Sequence, residues 1–328
     1  MGYKLISIDS KSEWNKALAG VSHSFCHTWE HCYSTYLTTG NPTFLFCFEK
    51  DGVKIVSPLM EREFKGYKDL TKPFGFTGFA ATDTHPDFAD EWRIFVSEKS
   101  YVSGYLGLHP LFNVNGLFGA DEIHHYNNVF ILDLKPDHDE ILNKMSSGRR
   151  HQLNKFEGYS ASFSEDRKML RSFFQTHYNE FLERRDAKNF YYFSSETITF
   201  LFDLNNILVV GAFESGQCVA ASLFGYTSVM GIALYHASLP GAEHYSAHLV
   251  WYGALKLKSM GISSLNLGGG SKGIAKFKTY FGTDIYPLCC VKQIYRDDIY
   301  EKLCRKTGTQ NLSKDTYFPA YRKPEGFN

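Results

Sequence analysis

Two short stretches limit most strongly what this chain can fold into. In TFLFCFEKDGVKIVSPLM, Thr43 to Met60, strand-forming residues flank Asp51-Gly52; in NILVVGAFESGQCVAASLFGY, Asn206 to Tyr226, they flank Ser215-Gly216. A two-residue link ending in glycine suits a turn with positive φ at both positions, so each stretch reads as a β-hairpin. Gly52 and Gly216 stand 164 positions apart, half of the 328-residue chain. That offset reads as an internal duplication, and 328 residues exceed what one core usually supports.

The contexts of the hairpins agree. WEHCYSTYL has helical apolar spacing before the first; RKMLRSFFQTHYNEFLERR and SSETITFLFDL precede the second, the latter with a Ser-x-Glu start suited to a helix cap. After the second hairpin come the strand VMGIALYHAS, a helix of about five turns over GAEHYSAHLVWYGALKLKSMG, and the strand SSLNL. The expected fold class is α+β, a mixed and mostly antiparallel sheet flanked by helices in each of two tandem domains. The boundary is set near Gly148, after the strand NVFILDL and the helix PDHDEILNKM. This gives a first domain over 1–148, a second over 149–299, and a tail over 300–328.

Composition excludes more than it assigns. Lys+Arg and Asp+Glu are equal at 35 each, so any polyanionic partner has to be met by a local patch. No stretch approaches the roughly 20 apolar residues of a membrane span. Seven cysteines without a C-x-x-C pair suit a reducing compartment, and a cytoplasmic location is expected. Cys47, Cys218, Cys289 and Cys290 read as small strand hydrophobes, and most of the 28 Phe and 21 Tyr as core.

The glycines of LNLGGGSKGIAKFKTYFG, Leu265 to Gly282, fit G-x-G-x-x-G at Gly268, Gly270 and Gly273. A dinucleotide site needs a helix long enough to cross the sheet, whereas Gly282 ends this one after two or three turns. A phosphate-binding P-loop would have lysine where Ile274 stands. GISSLNLGGG…IAKFKTYFG instead resembles the closing motif of the FemABX peptidyltransferases, relatives of the GNAT acyltransferases. In matching order, GRRHQLNKFEG resembles the basic helix opening their second domain, FLERRDAKNFYYFSSETITFL the Arg-aromatic segment, LVVGAFESGQCVAASLFGY the hairpin, and LYHASLPGAEHYSAHLVWYGALK the strand and long helix. FCHTWEHCY and KPFGFTGFAA carry a thinner match in the first half, and YFPAYR is similar to an ending seen among polysaccharide-locus members.

The resemblance implies two tandem GNAT-like domains, with the C-terminal tail returning to the first. It implies transfer of an aminoacyl or acyl group to an amine of a cell-wall (peptidoglycan) precursor or other envelope glycan in a groove between the domains. The donor would be aminoacyl-tRNA or acyl-CoA, with no tightly bound cofactor. Lys278 of Phe277-Lys278 takes the catalytic place beside the reacting carbonyl. Gly268, Gly269 and Gly270 let the backbone approach a ligand. Arg184 or Arg185 matches an arginine that grips an anionic part of the acceptor. Tyr235 and His236 lie on the acceptor side, as does Trp29 in the first half; Arg149, Arg150 and Lys155 would form a tRNA-facing patch. GAEHYSAHL lacks the basic, glycine-rich pattern by which ordinary GNAT enzymes hold acyl-CoA pyrophosphate.

Two readings compete. HTWEH fits the inverted zinc-protease pattern H-x-x-E-H, and on one helix His27 and His31 would share a face as two zinc ligands with Glu30 between them. A GNAT-like binding module without catalysis would keep the fold and tolerate loss of Lys278.

Overall fold

The computed structural model describes residues 2–112, 115–155, 161–313 and 317–324. Contacts divide the chain into two compact units: residues 1–127 with 287–328, and residues 128–286. The seam at Asn127/Asn128 precedes the expected boundary at Gly148, because Phe130, Leu132, Leu134, Ile141 and Met145 bury their side chains in the core of the second unit. The chain returns to the first unit at Pro287, so residues 287–299 belong there.

The first unit contains β1 (Tyr3–Ser7), α1 (Lys11–Leu18), α2 (Trp29–Thr39), β2 (Thr43–Lys50), β3 (Val53–Phe64), β4 (Tyr67–Thr71), β5 (Ala80–Ala81), α3 (Phe88–Glu98) and β6 (Ser103–Leu108). β7 (Ile123–Asp133) starts in this unit and ends in the second. The second unit continues with α4 (His138–Lys144), α5 (Ser147–Asn154), β8 (Ala161–Ser164), α6 (Arg167–Arg184), α7 (Ser195–Asp203), β9 (Ile207–Glu214), β10 (Gln217–Tyr226), β11 (Gly231–Ser238), α8 (Ser246–Ser259), β12 (Ser264–Asn266) and α9 (Lys272–Thr279). β13 (Asp284–Ile294) carries the chain back, and α10 (Asp297–Thr307) follows.

The units repeat one strand plan. In the first, β1, β2, β3 and β4 pair antiparallel in series, β4 meets β6 in parallel, and β13 closes antiparallel on β6. In the second, β8, β9, β10 and β11 pair antiparallel, β11 meets β12 in parallel, and β7 closes antiparallel on β12. The hairpins expected from sequence are β2–β3 and β9–β10, with φ of 49° and 79° at Asp51-Gly52 and 50° and 80° at Ser215-Gly216. A third turn of this kind, Lys65-Gly66 between β3 and β4, was not expected, since lysine rarely accepts a φ of 51°.

Aromatic packing builds the first core: Phe46, Phe79, Phe88, Trp92 and Phe95 meet with centroid separations between 5.2 and 6.4 Å. The tail is fixed by the buried carboxylate of Asp69, which accepts from Tyr321 Oη at 3.1 Å and Arg322 Nε at 2.5 Å while Arg62 Nη2 lies 2.8 Å away. Ser194 caps α7 through the Thr197 N–H at 3.2 Å, as its Ser-x-Glu start suggested. The helix expected from Gly241 begins only at Ser246, after a 3₁₀ turn over Glu243–Tyr245.

Beside α2 in the first unit, His27 and His109 lie ring to ring at 5.3 Å. Burial holds both neutral, His109 with a pKa pushed down to about 3. In the unfolded chain both titrate near 6.5, so they leave stability unchanged above that pH. Below it the unfolded state binds more protons, and stability falls by up to about 1.4 kcal/mol per pH unit for each histidine. Thermal melts from pH 7.5 to 5 are expected to fall in midpoint, and His109→Phe, which keeps the stack on Phe112, to flatten that slope; an equal slope in the variant would exclude His109 as a contributor.

Candidate active site

In the second unit β11 and β12 run in parallel, yet only Gly231↔Leu265 and Ile232↔Asn266 are in register. β11 continues to Ser238, while the chain after Asn266 turns to β7: the Leu267 N–H donates to Phe130 O at 2.8 Å, and the Phe130 N–H donates to Gly268 O at 3.3 Å. Beyond this point the two strands part, and among the described residues no strand pairs the edge of β11 that they leave. The same part of β11 is bulged. Ala233 and Tyr235 face consecutive residues of β10, so Leu234 has no counterpart, an arrangement that re-aims neighbouring groups.

Asn266 makes the turn. Its Oδ1 accepts the Gly268 N–H at 2.7 Å, leaving Nδ2 without a partner among the described residues, in a side chain that is 0 % exposed. Gly268 at φ 76° and Gly270 at φ 149° then bend the chain into α9. A β-carbon on Gly270 would stand 2.5 Å from Ile274 Cγ2, which explains glycine there. Gly282, at φ 71°, passes within 2.5 Å, measured from its own would-be β-carbon, of Lys144 O, seating the end of α9 on the α4–α5 link.

Lys278 reaches back from α9 to donate to Gly269 O. Burial pushes its pKa down to about 8, and among the described residues no carboxylate pairs with it. Phe277 does not face open space. Its ring and that of Phe281 hold the Arg149 guanidinium at 4.5 and 4.3 Å, and Arg149 donates to Phe277 O at 3.1 Å and Gln152 Oε1 at 2.5 Å. Arg149 is 4 % exposed, its Nε has no partner among the described residues, and burial lowers its pKa to about 10. Arg150 donates to the carbonyls of Asn143 and Met145, at 3.1 and 2.9 Å, so of the basic trio only Lys155 is free to face solvent. Phe156 to Gly158 of that segment lie outside the described residues.

The remaining residues divide by burial. Both arginines are exposed: Arg184 donates to Ser238 O at the end of β11, while Arg185 lies 3.7 Å from Glu243 Oε1. Tyr235 is buried against Phe193 and Tyr178, with centroids 4.8 and 6.0 Å apart. His236 bridges two hydroxyls, Ser222 Oγ at 2.9 Å from Nδ1 and Ser246 Oγ at 3.0 Å from Nε2. Burial, with Arg185 nearby, lowers its pKa to about 4, so it is neutral at pH 7 and too weak a base to deprotonate an alkylammonium. In the first unit Trp29 donates to Ile8 O at 2.5 Å, stacks on Tyr33 at 4.6 Å and carries Lys11 Nζ over its ring. Sequence reasoning missed Asn266, although an Asn two residues before a glycine is the signature of an Asx turn.

The zinc reading fails on geometry. His27 ends a 3₁₀ turn, Thr28 is the extended N-cap, and α2 starts at Trp29, so His27 and His31 do not share a helical face. Their Nε2 atoms lie 3.0 Å from Gly78 O and 2.7 Å from Phe74 O. Among the described residues no group of three or more His, Cys, Asp or Glu side chains is placed to hold a metal ion.

No family model and no curated protein matches the sequence. The fold has clear counterparts. FemX aligns over 92% of this chain and 99% of its own at 12% identity, TM-score 0.67. The C-terminal domain of a putative lysylphosphatidylglycerol synthetase from Agrobacterium fabrum aligns over 87% and 91% at 12% identity, TM-score 0.57. L-PGS from Bacillus licheniformis aligns over 92% of both chains at 14% identity, TM-score 0.55. The chain therefore has the FemX fold, an α+β architecture in which two units repeat one strand plan.

Asn266→Ala is expected to destabilise the protein by about 1–2 kcal/mol, since the buried Gly268 N–H loses its acceptor. Urea unfolding reads this out; an unchanged midpoint would mean that the turn holds without the amide.

Proposed function

We propose that this chain is an acyltransferase that moves an aminoacyl or acyl group onto an amine. The observation that carries the reading is the half-buried ammonium of Lys278, without a carboxylate partner among the described residues, at the glycine turn where β11 and β12 part. When the amine nitrogen attacks the carbonyl carbon, negative charge grows on the carbonyl oxygen, and a fixed cation there stabilises it most in a site shielded from water. Collapse then restores the carbonyl and expels the donor alcohol or thiol. The neighbours are named for FemX and for lysylphosphatidylglycerol synthesis, which favours an envelope molecule as acceptor; we take a cell-wall precursor amine as the first candidate.

Aminoacyl-tRNA is the favoured donor. In acyl-CoA enzymes of this architecture the first turn of the helix after the central strand receives pyrophosphate on open amides. Here α5 lies against the start of α8: Gln152 Nε2 donates to His244 O at 3.4 Å, His248 Nε2 donates to Gln152 O at 3.0 Å, and Tyr245 and Ala247 are buried. Arg185, the less committed of the two arginines, is assigned to an anionic group of the acceptor.

The test offers aminoacyl-tRNA and acyl-CoA in parallel, with nucleotide-linked cell-wall precursors as acceptors. Lys278→Ala is expected to abolish transfer with a nearly unchanged unfolding midpoint, and Lys278→Arg to retain part of it. A large stability loss in Lys278→Ala would recast the lysine as structural, and full activity would leave a binding module. Because the ammonium is the working form, the wild-type rate is expected to decline above pH about 8 and that decline to vanish in Lys278→Arg; a wild-type rate still rising at pH 9 would contradict a cationic role.

A further inference from the structure

A second group of reactive side chains lies in the first unit, in the sequence around HTWEH that the acyltransferase reading leaves unused. Cys26 belongs to the 3₁₀ turn before α2, His31 to the first turn of α2, and Lys72 to the irregular segment after β4. That segment folds over the thiol. Phe74 O receives the His31 Nε2–H at 2.7 Å and Gly75 O receives the Lys72 ammonium. Gly75, at φ 95°, is the part of the cover without a side chain. A β-carbon there would stand 3.2 Å from both Cys26 Sγ and His31 Nε2, so thiol and imidazole lie side by side beneath it.

Burial in apolar surroundings makes a thiol inert, and burial raises the pKa of the other six cysteines. Cys26 is 0 % exposed and yet its pKa is lowered: although burial pushes it up, His31, the Phe76 N–H and Lys72 together outweigh that. Lys72 has no carboxylate beside it among the described residues; the groups facing it are Cys26 and Cys290, and burial brings its pKa down to about 8. Among the described residues His31 Nδ1 has no hydrogen-bond partner, in a residue that is 1 % exposed, so this ring is not held as a neutral structural bridge in the way His27 is. The cluster holds a nucleophile, a proton carrier and a cation, without a carboxylate to quench it.

We infer that Cys26, set between His31 and Lys72 beneath Gly75, is an oxidative modification site that takes a small hydroperoxide. The thiolate attacks one peroxide oxygen and the O–O bond breaks. The departing hydroxide or alkoxide takes a proton from the His31 imidazolium or the Lys72 ammonium. Sulfur gives up two electrons and becomes a sulfenic acid, keeping the hydroxyl of the attacked oxygen, and the peroxide is reduced to water or an alcohol. Hydrogen peroxide is close to water in size and needs only a small displacement of residues 72–77 to reach the sulfur; a bulky alkylating reagent needs a larger opening. The added oxygen has no room under Gly75, so oxidation displaces that segment.

The test exposes the intact protein to hydrogen peroxide at pH 7 with dimedone present to trap sulfenic acid, followed by peptide mass spectrometry of all seven cysteines. Dimedone is expected first on Cys26, ahead of the half-buried Cys218 and Cys289. His31→Gln and Lys72→Met are expected to slow trapping at Cys26 by about tenfold each, the change in thiolate fraction for a pKa rise of one unit. Circular dichroism confirms that each variant is folded, and Cys26→Ser removes the signal. Trapping at Cys218 or Cys289 with Cys26 untouched would overturn the assignment. So would wild-type rates in both folded variants, or equal rates at all seven thiols, which mark global unfolding.

Discussion

The departure of the chain from β11 after Asn266 governs the second unit. Two parallel strands that stayed paired would leave no room for a substrate and would satisfy every backbone group internally. The Asn266 side chain takes the Gly268 N–H, the Leu267 and Gly268 peptides turn to Phe130, and a glycine run that only positive φ can follow leads into α9. The features of the candidate site gather at this turn, from the edge of β11 that no described strand pairs, with its bulge at Leu234, to the carbonyl of Gly269 that anchors Lys278. The turn is itself held from below, because α9 is seated by Gly282 on Lys144 and by the Tyr280 carbonyl on the Ser146 N–H at 3.0 Å.

Two cations without a carboxylate partner among the described residues stand around α9, Arg149 buried and Lys278 half-buried. Arg149 is stabilised by two ring faces and a carbonyl, Lys278 by a carbonyl alone. Leaving such charges unpaired is costly, and the cost falls when an anion arrives. Arg149 lies too deep to meet a ligand directly; its effect is to lock Phe277 and Phe281 and so fix the direction in which the following residue, Lys278, can extend.

Local chemistry made part of this legible from sequence. Asp51-Gly52 and Ser215-Gly216 announced their hairpins because the turn residues need only themselves and their neighbours to adopt positive φ. The order of motifs from Gly148 onward announced the fold. What failed were inferences about which way side chains face. A run such as Arg149-Arg150 reads as a solvated patch, yet one guanidinium is sandwiched by aromatic rings and the other caps α4. HTWEH reads as one helical face, yet Thr28 caps α2 and leaves His27 outside it. Tyr235 stands at the strand end as expected, but the bulge at Leu234 sets its orientation, and a bulge has no signature in residue types alone.

The strand that closes the sheet of the first unit, β13, is encoded after the whole of the second unit. During synthesis the second unit, a continuous segment over 128–286, leaves the ribosome with its core complete, whereas the earlier-made unit still lacks the partner of β6. The first half to emerge is thus the last to be finished, and until β13, α10 and the Asp69 anchor of the tail are in place, the β6 edge stays open to other strands. Nascent chains stalled before Pro287 should therefore carry one native unit and one that a chaperone would still recognise.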